Sequence, residues 1–293
     1  MTISKARPKL PPWIRVKASS GNGREEVDSL LKELSLHTVC ESAHCPNLCE
    51  CWQRRTATFM ILGNTCTRKC KFCAVDHDSP MLPPDPREPA NVLEAVKRLS
   101  LKYVVITSVT RDDLPDGGAA HFAAVIRELK NNLPDVKIEV LTPDFNGDEN
   151  SIRTVIEAGP TVFNHNVETV ERLSPLIRNK ADYRKSLAVL SKAAELGNGA
   201  IPVKSGLMVG MGETDDEVLQ TICDLRKHSV SILTIGQYLP PTGSHWKLER
   251  YVEPAKFKEW ELFAYEKGFS LAACSPLVRS SYNAEKLFGK DKN

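Results

Sequence analysis

From residue 58 to residue 268 the sequence alternates between short apolar runs and longer stretches of helical periodicity. That alternation restricts the folds open to the chain more than any other feature. The apolar runs are TFMIL (58–62), YVVIT (103–107), VKIEVLT (136–142), TVFNHN (161–166), PVKSGLMV (202–209) and SILTIGQYL (231–239). β-Branched and aromatic residues dominate them, as buried strands require. Between and after them lie NVLEAVKRLS (91–100), GAAHFAAVIRELKNNL (118–133), SIRTVIEAG (151–159), ADYRKSLAVLSKAAELG (181–197), DEVLQTICDLRKH (216–228) and PAKFKEWELFAYEKG (254–268), where apolar residues recur at helical spacing. Thr214-Asp215-Asp216-Glu217 has the form of a capping box, and Gly197 and Gly268 are placed to end helices. Strands alternating with helices predict parallel βαβ units. Six units are too few for an eight-stranded barrel and suit either a partial, curved barrel or an open doubly wound sheet. Segments 1–57 and 269–293 fall outside the alternation and read as extensions, with residues 1–24 as an extended arm.

Two features bound the partners. Lysine and arginine number 39 against 37 acidic residues, without the basic excess of a nucleic-acid binder. The N-terminal stretch is too polar for a signal peptide, and no run approaches the length of a membrane span. The expectation is a cytoplasmic protein with neither nucleic acid nor membrane as partner. In a reducing compartment, clustered cysteines are metal ligands or redox groups more often than disulfides.

Seven of the nine cysteines lie between Cys40 and Cys73. The second group, Cys66-Thr-Arg-Lys-Cys70-Lys-Phe-Cys73, follows a predicted strand, at the end where parallel α/β folds place active sites. Thiolates suit zinc or iron–sulfur clusters. Structural zinc usually takes four ligands, often as paired CxxC. Here there are three at an uneven spacing, and a 4Fe–4S cluster held by three thiolates leaves one iron open to another ligand. CTRKCKFC resembles the CxxxCxxC motif of the radical S-adenosylmethionine (radical SAM) enzymes, with Phe72 as the aromatic residue before the last cysteine. The resemblance implies that the cluster at Cys66, Cys70 and Cys73 chelates S-adenosylmethionine and cleaves it to a 5′-deoxyadenosyl radical. A structural zinc knot is the bland alternative.

The first group, Cys40-x4-Cys45-x5-Cys51, with CESAHCPN around it, looks like the auxiliary-cluster motif of the lipoyl synthase family. TSVTRDDLPDGGAAHF (107–122), FNHNVETVERL (163–173), KSGLMVGMGET (204–214), GQYLPPT (236–242), RYVEP (250–254) and PLVRSSY (276–282) resemble that family in order. The resemblance implies a partial (β/α)6 TIM-like barrel over 58–268. It also implies insertion of two sulfur atoms, at C6 and C8 of a protein-bound octanoyl-lysine, with a second 4Fe–4S cluster at Cys40, Cys45 and Cys51 as the sulfur source. It supplies a fourth ligand to that cluster from Arg279-Ser280-Ser281-Tyr282, by position Ser281. Without the family, that motif would read as a surface turn with a helix cap. The implied partners are an octanoylated lipoyl domain or glycine-cleavage H protein, an electron donor such as flavodoxin or ferredoxin, and an iron–sulfur carrier that rebuilds the auxiliary cluster.

For S-adenosylmethionine the candidates are polar residues at strand ends: Thr107 and Ser108, Asn164 and Glu168, Lys204 and Ser205, Gln237 and Tyr238. Asparagine and glutamate can bind ribose hydroxyls or the amino group, although Glu168 also suits a helix start. Cys49 departs from the family pattern and reads as a bystander. Cys274 is placed near the auxiliary group, and Cys223 reads as a core thiol. His44, His77 and His165 are assigned no metal. GSHWKLE departs from the family, so His245 and Trp246 are assigned no substrate contact. Two other readings remain at this level. A radical methylthiotransferase would carry its auxiliary cysteines in a larger N-terminal domain and add a nucleic-acid-binding module. An electron carrier would need no S-adenosylmethionine pocket.

Overall fold

The computed structural model describes residues 10–15, 22–178, 180–282 and 284–285. Parts of the two extensions, residues 1–9, 16–21, 283 and 286–293, lie outside the described residues. The chain runs α1 (Gly23–Glu33), β1 (His37–Thr38), α2 (Val39–Ser42), α3 (Leu48–Gln53) and β2 (Thr58–Ile61). It continues through α4 (Glu88–Arg98), β3 (Tyr103–Ser108), α5 (Ala119–Asn132), β4 (Lys137–Leu141), α6 (Glu149–Glu157) and β5 (Val162–Asn164). The last third holds α7 (Ser174–Ile177), α8 (Tyr183–Gly197), β6 (Val203–Val209), α9 (Asp215–Lys227), β7 (Ile232–Gln237), α10 (Pro254–Glu266) and β8 (Leu271–Cys274).

The eight strands form one sheet in sequence order. β1 pairs antiparallel with β2, and every later pair through β7–β8 is parallel. Each βαβ step therefore adds the neighbouring strand. The sheet curves without closing, and the choice left open by periodicity falls to the partial barrel. All six expected strands are present, within two residues at each end. The sheet does not stop there: β8 falls inside 269–293, so part of the expected C-terminal extension is a seventh parallel strand, with α10 as its crossover. β1 likewise puts part of the N-terminal extension into the sheet, and α1 begins within the expected arm.

Both faces of the sheet are covered, so its strands read as near-continuous apolar runs. Phe59, Ile61, Val104, Ile106, Val140 and Phe163 are at most 1% exposed. Together with Phe122, Val125, Ile126 and Leu129 of α5 they belong to the main core cluster. Each such side chain contributes about 1.5–3 kcal/mol through burial. Thr214 caps α9, with Glu217 reaching back to the Thr214 N–H, as its spelling predicts. At the end of α8 the left-handed residue is Asn198 (φ 46°), not Gly197; asparagine tolerates that region better than other non-glycine residues. Gly268 does take it after α10 (φ 91°). Among the described residues no helix is long and apolar enough to cross a membrane.

The register defines the concave face. Partners in a parallel ladder point the same way, so Met60, Thr107, Leu141, Asn164, Lys204 and Met208 share it. The same alternation sends Ser205 and Gln237 to the helix side.

Candidate active site

The loop after β2 carries Cys66, Cys70 and Cys73. It opens with Leu62 and Gly63 at positive φ and closes on itself where the Cys66 N–H donates to the Asp76 carbonyl at 2.7 Å. Lys71 N–H donates to Ile177 O at the end of α7, and Trp246 N–H donates to Lys71 O. The loop is thus held from both sides. Backbone N–H groups of Arg68 and Thr110 lie 3.5 and 3.4 Å from Cys66 Sγ. Such donors favour a thiolate and tune a cluster bound to it.

Cys40 sits on α2, whose first turn is capped by Thr38. Cys45 follows in a turn closed by its N–H on Cys40 O, and Cys51 sits on α3. A cavity of about 330 Å³ at the C-terminal ends of the strands is bordered by Cys66, Cys70 and Cys73 on one side and Cys40 and Cys45 on another, with Ser281 beside them. Cys51 faces a second cavity, of about 280 Å³, which Cys40, Cys45 and Ser281 also border. The structure therefore brings the two cysteine trios and Ser281 to one place.

None of the nine cysteines, all within the described residues, forms a disulfide. Burial pushes the Cys40 thiol up to about 12, and the neighbouring Cys45 and Cys51 add to the shift. Cys51 is pushed up to about 11 by burial and by Cys45. Cys73 rises to about 12 through burial, with Cys70 and Cys66 adding to it. Within each trio the thiols are close enough to disfavour one another's ionisation. A bound cationic iron group would reverse that penalty. Among the described residues no three His, Cys, Asp or Glu side chains converge enough to hold a single metal ion. Each trio offers the thiolate donors that a 4Fe–4S cluster takes.

The S-adenosylmethionine candidates divide into two sets. Phe72, Thr107, Ser108, Glu168 and Tyr238 border the larger cavity. Ser108 Oγ is buried there without a hydrogen-bond partner among the described residues, which leaves it available to a ligand. Glu168 holds φ at 65°, strained for a non-glycine residue. Its N–H donates to Gly206 O and its carbonyl accepts from Met208 N–H, so the strain is fixed by pairing to β6. Burial pushes its carboxyl above the ordinary range, against the opposing pull of Arg178 and Asn166.

Asn164, Lys204, Ser205 and Gln237 do not border that cavity. Gln237 is fully buried; its amide donates to the carbonyls of Val209, Tyr238 and Arg250 and accepts from Val252 N–H. Its hydrogen-bonding capacity is spent holding the loop after β7. Ser205 Oγ accepts from Val167 N–H. Lys204 and Asn164 both contact Glu139 deeper in the barrel. All four make their hydrogen bonds within the protein.

Other expectations shift too. Cys274 is buried with Glu261 and Lys258 of α10 as its charged neighbours and borders neither cavity. Cys49 also borders neither, and the Arg24 guanidinium reaches its sulfur at 3.8 Å. Cys223 is only half-buried. His245 places Nε2 at 3.2 Å from Cys73 O, and Trp246 Nε1 donates to Met211 O, so the divergent stretch buttresses the cysteine loop. His165 is pushed down to about 4, chiefly by burial. Its ring lies between Thr142 O and Ser186 Oγ, which is a structural role.

Arginines were missed by the sequence reading. Arg68, between Cys66 and Cys70, makes paired bonds of 2.8 and 2.7 Å to Asp144 and of 3.0 and 2.8 Å to Asp112. Burial alone would raise the Asp144 carboxyl, but Arg68 overrides it and holds it at about 2. Arg178 borders the cavity with Nε unpartnered among the described residues. Burial pushes its guanidinium down, while Glu168 and Cys70 favour its charge. Arg279 borders both cavities, with Cys45 as its charged neighbour. The available signal was Arg68 inside CTRKCKFC, Arg178 shortly after FNHNVETVERL and Arg279 inside PLVRSSY; composition alone does not tell a cavity arginine from a surface one.

Comparison with known proteins gives concordant results. The description of the Radical SAM superfamily matches residues 60–225. That of the N-terminal domain of lipoyl synthase of the Radical SAM family matches residues 2–45. The chain is 52% identical over 276 residues to a lipoyl synthase of Rubrobacter xylanophilus, covering 94% of this chain and 85% of the relative. It is 53% identical over 285 residues to a lipoyl synthase of Caldanaerobacter subterraneus subsp. tengcongensis, covering 97% of each. Among solved structures, methylornithine synthase (PylB) superposes with a TM-score of 0.57 at 12% identity, over 92% of this chain and 82% of that one. The FeFe-hydrogenase maturase HydG from Carboxydothermus hydrogenoformans gives 0.58 at 13% identity, over 87% and 73%. At such identities these structures speak to the fold alone.

Proposed function

Because this chain belongs to the lipoyl synthase family, within the Radical SAM superfamily, we propose that it inserts two sulfur atoms at C6 and C8 of a protein-bound octanoyl-lysine. The observation that carries the reading is that Cys40 and Cys45 border both the cavity lined by Cys66, Cys70 and Cys73 and the adjoining one lined by Cys51. Bound there, one cluster with S-adenosylmethionine would supply a radical strong enough to break an unactivated C–H bond, and the other would supply sulfur, chemistry that side chains lack.

The chain's own residues do the rest. Cys66, Cys70 and Cys73 hold the first cluster, and Cys40, Cys45, Cys51 and Ser281 hold the second. Ser108, Thr107 and Glu168 offer hydrogen-bond partners at the cavity wall for S-adenosylmethionine, and Phe72 packs beside it. Val39, Met60, Leu141, Met208 and Leu239 give the same cavity an apolar side, suited to a saturated acyl chain and to exclusion of water. Arg178 and Arg279 balance the negative charge of clusters held by thiolates. A hydroxyl is a harder ligand than a thiolate for iron in a cluster, which suits Ser281 to early release.

The proposal takes an octanoylated lipoyl domain or the glycine-cleavage H protein as substrate carrier. It takes flavodoxin or ferredoxin as reductant and an iron–sulfur carrier for rebuilding, all in the cytoplasm. The test is a mass-spectrometric assay of anaerobically reconstituted protein with S-adenosylmethionine, a strong reductant and an octanoyl-lysine peptide. The expected product has gained two sulfurs and lost two hydrogens. Deoxyadenosine with an untouched peptide would remove the octanoyl substrate from the account.

A further inference from the structure

The concave face holds a buried polar network that reaches the edge of both cavities through Tyr103, Asn166 and Ser280. Lys204 on β6 is 1% exposed and Glu139 on β4 is 1% exposed. Lys204 Nζ donates to Glu139 Oε1 at 2.8 Å and to the Ser280 carbonyl at 2.6 Å. Glu139 is held in turn by Tyr103 Oη at 2.7 Å and Asn164 Nδ2 at 2.9 Å. Asn166 grips the other side of Ser280, with Nδ2 at 2.7 Å and Oδ1 at 3.0 Å from Ser280 Oγ.

The strands beneath are cut away to admit this segment. A Cβ at Gly236 would collide with the Val278 carbonyl, and one at Gly206 would collide with Thr234 Oγ1 of β7 and crowd Ser280 Oγ and Asn166. Glycine in a strand interior marks such close backbone approach. From the opposite side, Asn47 Nδ2 donates to Leu277 O at 2.7 Å and Tyr282 Oη to Glu50 at 3.1 Å. Residues 277–282 are therefore clamped between the barrel and the segment that carries Cys45 and Cys51.

A buried ion pair is a weak source of net stability, because desolvation offsets the attraction. Its clearest use is to fix position. Here Lys204 has one partner in the sheet and one on the residue immediately before Ser281.

We propose that Lys204 and Asn166 are positioning residues, with Glu139 orienting Lys204: by fixing Ser280 from two sides they present the Ser281 hydroxyl to the cluster site formed by Cys40, Cys45 and Cys51. This rests on the reading of Ser281 as the fourth ligand of that site. Lys204 lies outside the larger cavity and Asn166 at its wall; each reaches Ser281 through its bond to Ser280.

The test reads iron environment rather than turnover. In the full chain with Cys66, Cys70 and Cys73 changed to alanine, reconstitution with 57Fe leaves about four irons, one of them bound by oxygen. Mössbauer spectra would show that iron as a separate doublet of about a quarter of the area. Ser281→Ala should abolish the doublet. Asn166→Ala and Lys204→Met should each reduce it at least about threefold while total iron stays near four. Loss of the doublet in Ser281→Ala with full retention in both other variants would overturn the positioning role and leave the ligand reading intact. Retention in Ser281→Ala would overturn the ligand reading, and the proposal with it. Lys204→Met leaves Glu139 buried and unpaired, so the half-buried Asn166→Ala decides the matter if Lys204→Met does not fold.

Discussion

Cys45→Ala will abolish sulfur transfer while S-adenosylmethionine cleavage continues. Cys45 borders both cavities and lies near Cys40 and Cys51, so its loss leaves the auxiliary group with two thiols. The loop carrying Cys66, Cys70 and Cys73 is held by Asp76, Ile177 and Trp246, none of which depends on Cys45. The expected result is iron content falling from about eight to about four per chain. Octanoyl-lysine conversion should fall more than about 100-fold, about 2.7 kcal/mol in barrier, with 5′-deoxyadenosine still formed. Cys70→Ala should do the converse, abolishing deoxyadenosine and leaving about four irons. Liquid chromatography of the nucleoside alongside peptide mass spectrometry checks both. A Cys45→Ala protein that still formed dithiolated peptide would remove Cys45 from the sulfur source.

The second large effect is on stability. Arg68→Met will destabilise the protein by about 3–5 kcal/mol at pH 7, the usual penalty for stranding a buried charge. The Asp144 side chain is fully buried, and Arg68 is its cationic partner; Asp112 loses the same partner. The pH dependence carries the signature. With Asp144 held at about 2 in the fold against about 3.9 unfolded, its stabilising contribution is complete above pH 4. It is lost as pH falls from about 4 towards 2. In Arg68→Met the stranded carboxylate is relieved by protonation, so the gap between variant and parent should narrow with acid. Urea melts of both proteins at pH 7, 5 and 4 check this. A gap that stayed constant would assign the loss to packing of the arginine stem.

The helical and strand segments were readable because the sheet is covered on both faces, which makes period and length visible in composition. β8 was not read because LAAC is short and follows a helix with no strongly β-branched residue to announce it. Its clue was the alternation itself, which had no physical reason to stop at α10. The spacing of Cys66, Cys70 and Cys73 after a strand stands out by itself, whereas the choice of Cys51 over Cys49 in the first group, and of Ser281 beside it, rests on the family resemblance. Successive residues within a strand face opposite sides, so the spelling of β6 already places Lys204 and Ser205 on opposite faces of the sheet. Glu139 carried a signal too. A carboxylate in the middle of VKIEVLT, a run otherwise fit for burial, demands a buried partner, and Lys204 is that partner.

If the trio at Cys40, Cys45 and Cys51 holds the source of the inserted sulfur, that sulfur passes from the protein to the product. The most direct measurement is one turnover of protein reconstituted with 34S-sulfide, in unlabelled buffer, followed by mass spectrometry of the octanoyl-lysine peptide. Product carrying two 34S atoms, with iron released in parallel, is the expected result. Product carrying sulfur of natural abundance would contradict it and place the donor outside the chain.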